Sequence, residues 1–293
     1  MAAEPAHVVN GDSVARALER SVLPGAVIVW RDVLHEGIVP PGDAAAVRRA
    51  RAEFLSAAGF GTTAAILAGF EEADAALLAA LTARRETVLW FEHDLHDQLQ
   101  LIQILDRIAA HPSRSSARLI SIDRYAGRER FTGLGELSPD ELAALWPERA
   151  LIADETFDAA ARAYDVVRSA DAVALAAVAG EQHPGLPFLA AALRRLLEER
   201  PWSGEGFGRS EWQILRAVAA GAHTPAEVVT ATWQMEAAPY MGDVWVWRRI
   251  DALASGPRPL LANAAGRIDL TRQGRAAVQA SGSGASEAAS SER

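Results

Sequence analysis

The stretch from Thr87 to Leu105 constrains this chain more than any other. Thr87-Val88-Leu89-Trp90-Phe91 is an unbroken β-branched and apolar run, and it leads directly into Glu92-His93-Asp94-Leu95-His96-Asp97-Gln98. An apolar run without polar alternation is the mark of a strand covered on both faces, as in parallel sheets. Leu99, Leu101, Ile102, Ile104 and Leu105 then recur at helical spacing, so a helix is expected from Gln98 to about Ala110. Ionisable side chains at 92, 93, 94, 96 and 97 therefore stand where a buried strand hands over to a helix. Charge there is costly unless a ligand, a metal or a partner balances it.

The same rhythm recurs along residues 1–135. His7-Val8-Val9 reads as a first strand, with Asn10-Gly11-Asp12-Ser13 as its turn and Asp12 or Ser13 as the cap of a helix running to about Arg20. Ala26 to Trp30 reads as a second strand, Thr87 to Phe91 as the third and Arg118 to Ile122 as the fourth. Helices are expected near 43–57 and 63–85. Strands alternating with helices predict an α/β domain with a small parallel, Rossmann-like sheet.

Residues 136–204 read as a helical region. Ser138-Pro139-Asp140-Glu141 is a capping box, and helices fit 139–147, 155–180 and 187–199, with Pro201 to Gly206 as a linker. Residues 205–279 change pattern. Ser210 to Gln213 and Thr224 to Glu227 read as two further capping boxes, a third helix fits 242–255, and two apolar segments flank a turn at Asn263 to Gly266. Three helices followed by a hairpin is a winged-helix-like order. The Ser-, Gly- and Ala-rich tail at 280–293 is expected to be disordered.

Composition removes several chemistries. The chain of 293 residues contains no Cys, which excludes disulfides, thiol nucleophiles and thiolate metal sites. It also contains no Lys; all 29 basic residues are Arg. Lys Schiff bases and a phosphate loop with its Lys are excluded with it. A net charge of −9 argues against bulk nucleic acid as the main partner. No signal peptide or membrane span is visible, so a cytoplasmic protein without membrane contact is expected.

In an open parallel sheet, ligands bind beyond the carboxyl ends of the strands. The polar clusters all fall at that edge: Asn10, Asp12 and Ser13 after the first strand, Arg31, Asp32, His35 and Glu36 after the second, and Glu92 to Gln98 after the third. Asp123 and Arg124 follow the fourth. Glu92, Asp94, Glu36 and His93 are the candidate catalytic groups, as general bases or acids. Asn10, Asp12, Ser13, Arg31, Asp32 and Gln98 are the candidate substrate-binding groups, with Arg31 as a clamp for a carboxylate or phosphate. Glu92, Asp94 and Asp97 are candidate ligands for Mg²⁺ or Mn²⁺, which prefer oxygen donors. The bland alternatives stay open at each position. Asp94 or Asp97 serves as a helix cap, Arg31 and Glu36 brace a loop, and His96 and Gln98 face solvent.

The motifs carry a resemblance. His7-x-Val9-Asn10-Gly11-Asp12-Ser13, Trp30-Arg31-Asp32-x-Leu34-x-Glu36-Gly37 and Trp90-Phe91-Glu92-His93-Asp94-Leu95-x-Asp97-Gln98-Leu99 resemble a bacterial family known only as domain of unknown function 1835. Glu211, Gly221, Pro225, Met241-Gly242-Asp243, Pro259-Leu260 and Leu270-Thr271-x-x-Gly274 are similar to an uncharacterised domain that often follows it. The resemblance implies no activity. Function therefore rests on the residues, which support two readings. One is a hydrolase or group transferase for a small polar or phosphorylated metabolite, nucleotides included. The other is a ligand-sensing winged-helix transcription regulator. Between Glu205 and Ala280 eight Arg face seven acidic residues, which does not favour a nucleic-acid partner.

Overall fold

A computed structural model describes residues 3–169, 171–199 and 206–280. The chain divides into two compact units, Met1–Leu197 and Glu198–Arg293. Most of the expected helical region thus belongs to the same unit as the sheet. The linker residues 201–205 and the tail residues 281–293 lie outside the described residues.

The first unit is mixed α/β. It begins β1 (Ala6–Val9), α1 (Asp12–Glu19), β2 (Ala26–Val29), α2 (Ala44–Ala57), α3 (Thr63–Thr82), β3 (Thr87–Glu92), α4 (Leu95–Ala109) and β4 (Ala117–Ile122). It continues with α5 (Pro139–Ala144), β5 (Ala150–Leu151), α6 (Asp154–Ser169), α7 (Ala172–Ala179) and α8 (Leu189–Glu199), whose last two residues already belong to the second unit. The sheet order is β2-β1-β3-β4-β5, with β1 to β4 mutually parallel and β5 antiparallel to β4. This is a doubly wound, Rossmann-like arrangement. The chain leaves β1 toward one edge and later returns to build β3 on the other side of β1. That reversal opens a crevice beyond the carboxyl ends of β1 and β3.

Burial follows directly from the sequence pattern. Every residue of β1 and β3 is buried, whereas the edge strand β2 is half exposed. Val9, Val88, Trp90 and Ile120 share one face and pack with Val14, Ala15 and Leu18 of α1 and Leu142 of α5. Val8, Leu89, Phe91 and Leu119, one residue out of phase, are buried on the opposite face. Trp90 Nε1 donates to His7 Nδ1 at 3.2 Å, so the one polar group of that buried ring is satisfied. Helix α4 is buried nearly all round, through Leu95, Leu99, Leu101, Ile102, Ile104, Leu105 and Ile108. A helix with this pattern belongs inside a layered core.

Some expectations change. The expected helix 155–180 is two helices. Asp171 caps the second, accepting from the backbone N–H of Val173 at 2.9 Å and Ala174 at 3.0 Å. Neither Asp12 nor Ser13 caps α1; the N-cap is Gly11, which has no side chain to offer. The two-residue strand β5 carries no pattern that a sequence reading would detect.

The second unit holds α9 (Arg209–Ala219), α10 (Pro225–Gln234), α11 (Asp243–Ala254) and a hairpin of β6 (Leu261–Ala264) and β7 (Arg267–Leu270). Residues 272–280 are helical. The Thr224–Glu227 capping box is present. The one expected at Ser210 is not: Gly208 is the N-cap of α9, and Ser210 instead donates its backbone N–H and hydroxyl to Glu199 Oε1 at 3.0 and 2.7 Å. No helix among the described residues is long and apolar enough to cross a membrane.

The loop after β2 is held by Arg51 of α2, whose side chain is fully buried. Its Nε donates to Asp32 Oδ1 at 2.9 Å, and its remaining nitrogens reach the carbonyls of Val33 and Glu36 at 2.8 Å and Ile38 at 3.2 Å. Removing one partner of a buried ion pair strands the other. Arg51→Ala is expected to lower unfolding free energy by about 3–5 kcal/mol in urea titrations, within the range for such disruptions.

Candidate functional site

Three carboxylates meet in the crevice beyond β1 and β3. Glu92 ends β3, Asp94 is the N-cap of α4, and Asp97 lies in the first turn of α4. One oxygen from each lies within 4.8 Å of the others, and all three residues are buried. The local sequence explains the convergence. Strand β3 stops at Glu92, and Asp94 turns the chain into α4 by accepting the backbone N–H of Asp97 at 2.9 Å. A cap and a residue three positions on lie on one side of the helix start, so the Asp94-x-x-Asp97 spacing aims both carboxylates back at the strand end.

Hydrogen bonds fix the trio. Asp97 Oδ2 accepts the backbone N–H of Glu92 at 2.7 Å, and its Oδ1 accepts the side-chain amide of Asn10. The Gln98 amide donates to the Glu92 carbonyl at 2.6 Å, while its own Oε1 is buried without a partner. The Glu92 carboxylate accepts the backbone N–H of Leu134, from the short helical turn Leu134–Glu136. Gly133 lies against the same carboxylate with a φ of 155°, and a Cβ there would collide with it.

Among the described residues, no Arg or His forms a salt bridge with any of the three. Burial pushes the carboxyl of Glu92 well above the ordinary range, and the neighbouring charges of Asp97 and Asp94 push it further. Burial raises Asp94 in the same way, reinforced by Asp97. Asp97 rises to about 7 through burial, with its bonds from Glu92 and Asn10 pulling it back. In the metal-free protein all three carboxyls are thus harder to ionise than ordinary ones. The site can exchange protons near neutral pH, or it can take a cation in place of those protons.

The other expected residues divide. His93 follows Glu92 but turns toward Phe131 and Phe188, with ring centroids at 6.2 and 6.0 Å. Burial lowers its pKa, against the opposing effects of Asp123 and the Ile122 backbone, so it is neutral at pH 7. His96 is not solvated: its Nδ1 is buried, and its ring meets that of His35 edge-on at 5.3 Å. Burial takes its pKa down to about 4. Gln98 is buried too, not exposed. Asp12 and Arg31 pair with each other at the surface, 2.6 Å apart and more than half exposed. Ser13 donates to the Gly135 carbonyl at 3.1 Å. Asp32 is the loop brace held by Arg51, and Glu36 contributes its carbonyl to that brace without joining the carboxylate trio. Arg31 and Asp32 border a separate cleft that none of Glu92, Asp94 and Asp97 lines.

The covering segment from Phe131 to Gly135 was not among the candidates, although it supplies Gly133 and the Leu134 N–H. Its only signal is the pair of glycines flanking Leu134, and these glycines act through what they lack.

A scan against protein-family models finds no match for this chain, and a search of curated proteins returns none either.

Two outcomes follow from this geometry. A carboxyl whose folded pKa exceeds its unfolded value adds stability fully present below the unfolded pKa, and that stability is lost as pH rises through the folded value. For Asp97 the window runs from its ordinary value of 3.8 to about 7, and Glu92 and Asp94, raised in the same direction, add to the loss as pH rises. Metal-free protein is therefore expected to lose thermal stability between pH 4 and 8, by an amount on the order of a few kcal/mol. Scanning calorimetry across that range measures it, with a shallower slope expected for Asp97→Asn. Gly133→Ala is expected to displace the Glu92 carboxylate and lower Tm by several degrees, equivalent to about 1–3 kcal/mol of overpacking.

Proposed function

We propose that the chain is an enzyme, a hydrolase or group transferase for a small polar or phosphorylated metabolite, working with Mg²⁺ or Mn²⁺ held by Glu92, Asp94 and Asp97. One observation carries this reading: three buried carboxylates converge within 4.8 Å at the sheet's ligand-binding edge without a salt bridge to balance them. A hard divalent cation matches an all-oxygen donor set and neutralises the mutual repulsion. It also usually keeps open positions for water and for substrate oxygens, which is how such ions activate water and polarise phosphoryl groups. Asp97, with both oxygens engaged, acts as the fixed member; Glu92 and Asp94 have more acceptor capacity left.

The motifs shared with domain of unknown function 1835 support proposed membership of that family, since Asn10, Glu92, Asp94, Asp97 and Gln98 are drawn from them and form one network. We read the second unit as winged-helix-like, from its three helices and hairpin. The regulator reading would need α11 to face a DNA groove. Its exposed positions carry Asp243, Val244, Trp247 and Asp251 beside Arg248, which is a poor match to a phosphate backbone.

Calorimetric titration of chelator-treated protein with MnCl₂ and MgCl₂ tests the proposal. One ion is expected to bind per chain with proton release, and Glu92→Gln or Asp94→Asn is expected to weaken it at least tenfold. Absence of binding by either ion at millimolar concentration overturns the metal assignment.

A further inference from the structure

A cleft of about 330 Å³ opens in the first unit between the loop after β2, the start of α2, and helices α3, α4 and α6. Its volume falls in the range of small-molecule sites. Trp30 and Phe70 give it a partly exposed aromatic wall, with Val47 and Ala73 as aliphatic lining. The wall is braced from behind: Trp30 Nε1 donates to Gln103 Oε1 at 2.7 Å, and Gln103 Nε2 donates to the Tyr164 oxygen at 3.2 Å. A wall fixed in this way is preformed, which lowers the entropy lost on binding.

The charged groups of the lining are balanced within the chain, with one exception. Arg31 pairs with Asp12 at 2.6 Å, Asp32 with Arg51 at 2.9 Å, and Arg168 with Asp165. Asp74 is shared by Arg107 at 2.6 Å and Arg48 at 3.3 Å. Asp43 accepts the Ala46 N–H at 2.8 Å as the cap of α2, and the N-terminal dipole of that helix offsets its charge. Asp106 is the exception: it has no hydrogen bond or salt bridge among the described residues. Gln103, Asp106 and Arg107 stand at helical spacing on α4, so Asp106 belongs to the helix face that borders the cleft. It is half-buried, and burial raises its carboxyl, with Arg168 opposing, Asp165 reinforcing and Arg107 opposing. Counted with their partners, the charges of the lining are five Arg and six Asp, an excess of one negative charge. A half-buried carboxylate beside partly exposed aromatic rings suits an ammonium, because the carboxylate accepts its N–H groups and the ring faces attract its charge.

We infer that this cleft binds a small organic monocation, a primary ammonium whose apolar body lies against Trp30 and Phe70 and whose N–H groups donate to Asp106. One positive charge brings the lining to neutrality. Arg107 and Arg168, the cations nearest Asp106, are already neutralised by Asp74 and Asp165, so the ammonium meets no unbalanced guanidinium. The site is separate from the carboxylate trio, so it stands whether or not the trio binds metal.

Phenethylamine, phenethyl alcohol and phenylacetate share one aromatic body and differ in charge; titrated into the full chain by calorimetry, they test the inference. Phenethylamine is expected to bind with sub-millimolar Kd. Phenethyl alcohol, which lacks the charge, is expected to bind at least tenfold more weakly, since a hydrogen bond to a charged group is worth about that factor or more. Asp106→Asn is expected to weaken phenethylamine at least tenfold and to leave phenethyl alcohol unchanged, a split that general damage to the cleft would not give. Ala73→Phe fills the cleft without touching its charges. It is expected to abolish binding of both compounds while the protein stays folded by circular dichroism, which covers the case of an Asp106 variant that fails to fold. No binding of phenethylamine at 10 mM, equal or tighter binding of phenethyl alcohol or phenylacetate, or unchanged phenethylamine binding in either variant would each overturn the assignment.

Discussion

Repulsion among three carboxylates in a dry crevice is the constraint on which the candidate site depends. Folding the sheet forces Glu92 to the end of a strand buried along its whole length, and capping α4 forces Asp94 and Asp97 to meet it. Charge in that position cannot be solvated, so the protein must carry protons there or import a cation. The bonds to Asp97 from Asn10 and the Glu92 backbone do not cancel the cost; they only pull the Asp97 carboxyl part of the way back. The arrangement joins β1 to β3 across the point where the chain reverses direction, so the contact that organises the site also ties the two central strands together.

A second acidic residue on the same edge shows the contrast. Asp32 is as deeply placed as the trio, but it faces a buried guanidinium whose other nitrogens are taken up by three loop carbonyls. Its charge is balanced within the chain. Glu92, Asp94 and Asp97 receive only neutral donors. The difference between a brace and a site therefore lies in whether the balancing charge is built into the chain, not in burial or position.

Much of this was legible in the sequence, and the reason is periodicity. The strands at His7, Ala26, Thr87 and Arg118 announce themselves through apolar runs, and the polar residues following them fall at one edge by the logic of parallel sheets. Asp94 as a cap and Asn10, Glu92 and Asp97 as candidates follow from the same reading. What stayed hidden depends on three-dimensional partners. Arg51 sits among Arg48 and Arg49 in one helix, and no local pattern says which of them turns inward. Leu134 contributes a backbone N–H, which every residue but Pro possesses, and Gly133 contributes an absence. The cleft is assembled from helices and a loop distant in sequence, and its residues read singly as ordinary helix surface.

Those hidden elements also decide how exposed groups at the edge should be read. Arg31 looked like the natural anion clamp because it follows a strand directly, yet it spends its charge on Asp12 in open solvent, where such a pair is worth little. Arg48 and Arg168, in helices with no motif to mark them, are paired as well, with Asp74 and Asp165. By that reasoning the two ends of α4 differ: the carboxylates gathered beyond β3 have no salt bridge among the described residues, whereas Arg48, Arg107 and Arg168 each have a carboxylate partner. A cation is drawn to the first. The same helix, α4, carries carboxylates of that group at its start and supplies Gln103, Asp106 and Arg107 to the separate cleft two to three turns later.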